Sequence, residues 1–132
     1  MTRLLFVLRR RRDGLAAVEF ALALPILVML LAGIAQMGAL FAANAGLQQA
    51  VGEAARLATI YPQPTDTVLI ARVRAAAFSL NTTYLDAPVV TRGTSNGVPY
   101  VDISLTYRPP LKFVFFTVPA ITMTRTRRAY LN

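Results

Sequence analysis

The sequence predicts an α+β protein: a long N-terminal transmembrane helix, then a second helix and a small antiparallel sheet of about three strands. Three observations predict it. Residues 20–43 form an apolar run in which Gln36 is the one polar side chain. Two prolines in YPQP, at residues 61–64, end the helical pattern. Beyond residue 81 the hydrophobic spacing changes from the helical period to period two.

The apolar run comes first in the chain and says most. Its 24 residues make about 36 Å of helix, enough to cross a hydrocarbon core of about 30 Å. Hydrophobic residues make up 55% of the 132 and charged residues 15%, and the excess is concentrated here. Just before the run stands a basic stretch, RRRRDG at residues 9–14, within a leader that also carries Arg3. Positive charge next to a span marks its cytoplasmic end. The N-terminus is therefore expected in the cytoplasm, with everything after about Asn44 on the far side. Half of the net charge of +8 lies in residues 1–14, and the adjoining span explains this basic run without nucleic acid.

The helical pattern continues to about residue 60, first apolar and then amphipathic. After the break, Thr65 or Asp66 can cap a second helix to about Leu80, with Leu69, Val73, Ala76 and Leu80 at helical spacing. Residues 87–92 form a short strand candidate. Val101, Ile103 and Leu105 alternate with polar residues, giving a strand with those three on its buried face. Asn96-Gly97 between the two is a hairpin signal. Arg108-Pro109-Pro110 ends the second strand, and residues 121–129 alternate again as a third. This gives three segments: a leader at 1–14, an N-terminal helix at 15–60 that spans the membrane at about 20–43, and an extracytoplasmic α/β domain at 61–132. Arg125, Arg127 and Arg128 read as a solvated strand end, and the five tyrosines as packing and rim residues.

An enzyme is not expected. The chain has no histidine and no cysteine, which removes the commonest general base and the thiolate ligands. No phosphate-binding glycine motif is present. The five carboxylates after the leader, Glu19, Glu53, Asp66, Asp86 and Asp102, show no pairing in the sequence. No metal, cofactor or small-molecule substrate is expected.

Three features of the helix invite a functional reading. Glu19 lies at the mouth of the apolar run, where a carboxylate at the bilayer centre would cost on the order of 3 kcal/mol, and less near the interface. One account is that it meets the positive end of the helix dipole. Pro25 removes a backbone donor and predicts a kink within the span. Gly38, Ala42, Gly46, Ala50, Ala54 and Ala58 recur every fourth residue, a row that lets another helix approach closely. An alanine-rich helix meeting that pattern by chance is the competing account.

The residues RRRRDG followed by LAAVEF resemble the cleavage site of type IV prepilins and pseudopilins: a basic leader, glycine at its last position and glutamate at the fifth mature position. The resemblance implies cleavage by a prepilin peptidase between Gly14 and Leu15. It also implies that Glu19 neutralises the new N-terminal amine of a neighbouring subunit. The start AAVEFAL, Leu24-Pro25, Leu47-Gln48 and the EAAR at 53–56 are similar to the TadE-like family of the tight-adherence (Flp) pilus system. The implied role is that of a minor pseudopilin, pilin-like in fold, in the bacterial inner membrane. Its implied partners are the peptidase and other pilins and pseudopilins, which would use the row at Gly38, Ala42, Gly46 and Ala50. A second expectation stands beside this one. Ala43-Asn44-Ala45 also fits a signal-peptidase site, and cleavage after Ala45 would release a periplasmic binding module.

Overall fold

The computed structural model describes residues 2–113 and 116–131, with side chains from Gly14 onward. The first helix, α1, runs without interruption over Thr2–Ala58, through Pro25. It therefore takes in the stretch read as a leader, where no proline interrupts it; the leader's arginine side chains lie outside the described residues. A second helix, α2, covers Asp66–Ala76 after the break, in which the Tyr61–Pro62 bond is cis. Five strands follow: β1 (Val89–Ser95), β2 (Val98–Tyr107), β3 (Leu111–Lys112), β4 (Thr117–Val118) and β5 (Met123–Tyr130). The main sheet is antiparallel in the order β1-β2-β5, and β3 pairs with β4 in a separate two-stranded ribbon. The α+β class and the three-stranded sheet are as the sequence predicts.

Local chemistry accounts for these elements. Ser95 pairs with Val98 across a two-residue loop. Asn96 and Gly97 both have positive φ, 53° and 79°, the geometry of a type I′ turn that matches the twist of the strands. Thr65 is the N-cap of α2, but its side chain makes no capping bond. Its carbonyl instead accepts from Val68 and Leu69, and Asp66 in the first turn binds Arg92 Nε at 2.7 Å. The helix ends at Ala76, short of the expected Leu80, yet Leu80 still reaches the core. At the end of β2 the prolines 109 and 110 have no N–H for a ladder.

The core sits between the second half of α1, α2 and one face of the sheet. From α1 come Leu47, Ala50, Val51, Ala54, Ala55 and Ala58, a spacing of three and one that lines one helix face. From α2 and its exit come Leu69, Val73, Ala77 and Leu80, and from the sheet Val101, Ile103, Leu105, Tyr107 and Ala129. The folded unit thus begins near Gly46, inside α1, and crosses the segment boundary that the sequence suggests at residue 60. The physical reason is that a three-stranded sheet and one short helix need a further apolar face to close a core, and the lower part of α1 supplies it. The opposite face of β2 and β5 carries a ladder of matched pairs. Asp102 faces Arg128, Ser104 bonds Thr126 and Thr106 bonds Thr124, each hydroxyl pair at 2.9 Å.

Candidate functional site

From Gly14 to Ala42, α1 is a largely bare apolar shaft. Leu15, Phe20, Leu22, Ile26, Leu30 and Ile34 are all more than half exposed. Exposed apolar surface on this scale marks a contact with something outside the chain. This is one helix long and apolar enough to cross a membrane.

The residues singled out by the sequence divide along this shaft. Gly14 is exposed, and a side chain built there would meet nothing within 4 Å. Leu15 is exposed next to it. Glu19 is exposed one turn later, on the same helix face as Leu15. Gly14, Leu15 and Glu19 therefore lie together at the N-terminal end of the shaft, clear of the folded domain.

The row of small residues splits in two. Gly38 and Ala42 are exposed, and Gly38 has open space where a Cβ would stand. Gly46, Ala50, Ala54 and Ala58 are buried in the chain's own core. A Cβ on Gly46 would lie 2.7 Å from Ser79 Oγ and 3.3 Å from Leu80 Cδ2. The lower row does admit close neighbours, but they belong to the same molecule: the exit of α2 at Gly46, and the chain's own core along Ala50, Ala54 and Ala58.

One feature of the shaft was not legible from the sequence. Gln36 donates its side-chain Nε2 to the carbonyl of Lys112 at 2.7 Å. The β3–β4 hairpin thus lies against the shaft, and Phe113 stands beside Gly33, 3.9 Å from where a Cβ there would be. The available signal was the run LKF at 111–113 following two prolines, whose alternation is too short to mark a strand.

The charged groups of the domain are mostly engaged. Glu53 accepts from Arg72 at 2.9 Å and from Arg56 at 3.4 Å. These hydrogen bonds, Arg72's the stronger, hold its carboxyl below the usual glutamate range. Arg92 pairs with Asp66, and Arg108 with Asp86. Arg128 is exposed, as a solvated strand end requires, and also grips Asp102 across the strands; strand register brings the two together, and register is not written in the spacing of charges. Among the described residues, no group of three or more acidic side chains gathers where a metal could bind.

Fold and shaft together define a class: a small α+β domain built onto the end of a long apolar helix. Residues 14–56 match the model of the family described as TadE-like protein, the family that the N-terminal motif resembles. The match covers about a third of the chain, opening at Gly14 and closing at Arg56, within α1. No curated protein and no solved structure matches the chain.

Proposed function

We propose that this chain is a TadE-like minor pseudopilin, a structural rather than catalytic component that acts in Tad/Flp pilus assembly and adhesion. The observation that carries the proposal is the family match opening at Gly14, on a helix that leaves Gly14, Leu15 and Glu19 exposed together. In this reading the basic leader stays in the cytoplasm, prepilin peptidase cuts after Gly14, and α1 holds the protein in the inner membrane with its domain in the periplasm. The new amine of Leu15 and the carboxylate of a neighbour's Glu19 neutralise each other, which offsets the unfavourable burial of either charge in a membrane. Gly38 and Ala42 form the part of the small-residue row left for other pilins, since the chain's own core occupies the rest. No cofactor, nucleic acid or small-molecule substrate enters this scheme.

The reading is tested by replacing the chain in its host with Glu19→Ala. Processing is expected to persist while surface pili and adhesion fall. Unchanged piliation would remove the role given to the carboxylate.

A second reading has one observation in its favour. The α1 residues of the core all lie beyond Ala45, so a signal peptidase cutting there would release an intact core as a soluble periplasmic module. Fractionation separates the two readings: a soluble product starting at Gly46 favours release.

A further inference from the structure

After β2, the chain descends along α1 toward the N-terminal end of the shaft. Pro109, Pro110 and Leu111 line a small cleft of about 70 Å³ together with Leu40 and Ala43. Lys112 is held by Gln36. Phe113 then reaches Gly33, ten residues, or about 15 Å, below Ala43. The hairpin carries its own apolar surface. Phe113 and Phe116 stack with ring centres 4.9 Å apart, and Phe116 is 53% exposed. Between hairpin and shaft runs an open groove of about 460 Å³, lined by Met29, Leu30, Ile34, Met37 and Phe113.

This surface is continuous with the apolar shaft, so what covers the shaft also meets the hairpin. Its depth has a limit. A two-stranded ribbon has two open edges, and unpaired backbone groups are not tolerated against hydrocarbon. Phe113 and Phe116 close one pair, N–H to carbonyl at 2.8 Å, and Gln36 satisfies the carbonyl of Lys112; other edge groups need water or headgroups. The hairpin therefore belongs at the interface. With the interface at Gln36, the helix from Leu15 rises about 32 Å, close to the roughly 30 Å of a hydrocarbon core.

We propose that the β3–β4 hairpin is a second membrane contact. Phe113 and Phe116 rest in the leaflet on the domain's side, acyl chains fill the groove beside the shaft, and the bilayer boundary lies near Gln36 rather than at Ala43. Lys112, exposed at the same level, extends its ammonium toward the headgroups. The proposal rests on α1 crossing a bilayer, as in the proposed function.

The chain has no cysteine, so single labels can be placed cleanly. The full chain is purified into phospholipid nanodiscs with a fluorophore on Leu24→Cys, Ala42→Cys, Thr91→Cys or Phe116→Cys. Each is read against lipids brominated near the headgroup or near the chain end. The expected result is that Phe116 loses fluorescence to shallow bromines more than to deep ones. Leu24 should lose it to deep bromines, while Ala42 and Thr91 lose none. Lys112→Cys repeats the hairpin reading should the Phe116 exchange loosen the ribbon. Quenching at Leu24 with none at Phe116 or Lys112 overturns the proposal and leaves the anchor standing. Quenching at Ala42, or deep quenching at Phe116, overturns the boundary at Gln36. No quenching at Leu24 overturns the anchor and the hairpin contact together.

Discussion

Arg128 reaches from β5 to β2 and holds Asp102 with two hydrogen bonds, Nε to Oδ1 at 2.8 Å and Nη2 to Oδ2 at 2.7 Å. Its guanidinium carbon also lies 3.9 Å from the ring centre of Tyr100. The two residues are direct cross-strand partners, so the pair fixes the register of β5 against β2, the strand that carries four of the core residues.

The pair has a pH signature. The hydrogen bonds from Arg128, aided by its charge, hold the Asp102 carboxyl below its ordinary value of 3.8. The unfolded chain then binds protons before the folded one does. The stabilisation is complete above about pH 3.8 and is lost as pH falls through the folded value. Glu53 acts in the same direction from its ordinary 4.5. Thermal melts of the full chain at stepped pH should show a flat region near neutrality and a fall on the acid side. Asp102→Asn should start lower at pH 7 and fall less steeply, keeping the part due to Glu53. An acid limb as steep as in the wild type would mean that Asp102 contributes nothing to it.

Gly46 and Gly38 are expected to part company. A side chain at Gly46 must displace Ser79 or Leu80, so Gly46→Val should lose about 1–3 kcal/mol of stability, as overpacked cores do. Gly38→Val meets open space and should leave the unfolding midpoint unchanged. If Gly38 serves contacts with other pilins, that same variant should still reduce piliation. Denaturant melts and pilus counts on both variants check the split.

Ile103 is fully buried where α1, α2 and the sheet meet. Ile103→Ala should cost about 2–5 kcal/mol, read as a lower denaturant midpoint. Thr91→Ala, on the exposed side of β1, should stay within about 0.5 kcal/mol of the wild type.

Gln36→Leu removes the donor that holds the Lys112 carbonyl. The loss of one such hydrogen bond, about 0.5–1.5 kcal/mol, should free the hairpin without unfolding the domain. A spin label at Phe116→Cys should become more mobile in that background, while the global melt is little changed.

Much of this architecture was legible in the sequence because it depends on local periodicity. Val101, Ile103 and Leu105 alternate and are all buried; Asn96-Gly97 makes the turn it implies; Leu69 and Val73 face the core from α2. Three features were not legible, each for a reason of long-range geometry. The row of small residues says that something packs closely on α1, but alanine and glycine carry no mark of which neighbour it is, and for Gly46 to Ala58 it is the same chain. The β3–β4 ribbon has two-residue strands, too short for any alternation. The grip of Arg128 on Asp102 depends on strand register between segments 26 residues apart. Of the candidate site, the sequence named Gly14, Leu15 and Glu19, and the structure leaves all three exposed on one end of the shaft. It did not reveal that Gln36, the one polar residue of the apolar run, has a partner.

The central claim is that the basic leader is removed and the helix behind it works as an assembly surface. Intact-mass and N-terminal sequence measurement of the membrane-bound chain, from cells with and without prepilin peptidase, tests it most directly. The account predicts a chain starting at Leu15 when the peptidase is present and one retaining residues 1–14 when it is absent. A chain that keeps its leader in both strains, or that starts at Gly46 in both, would contradict it.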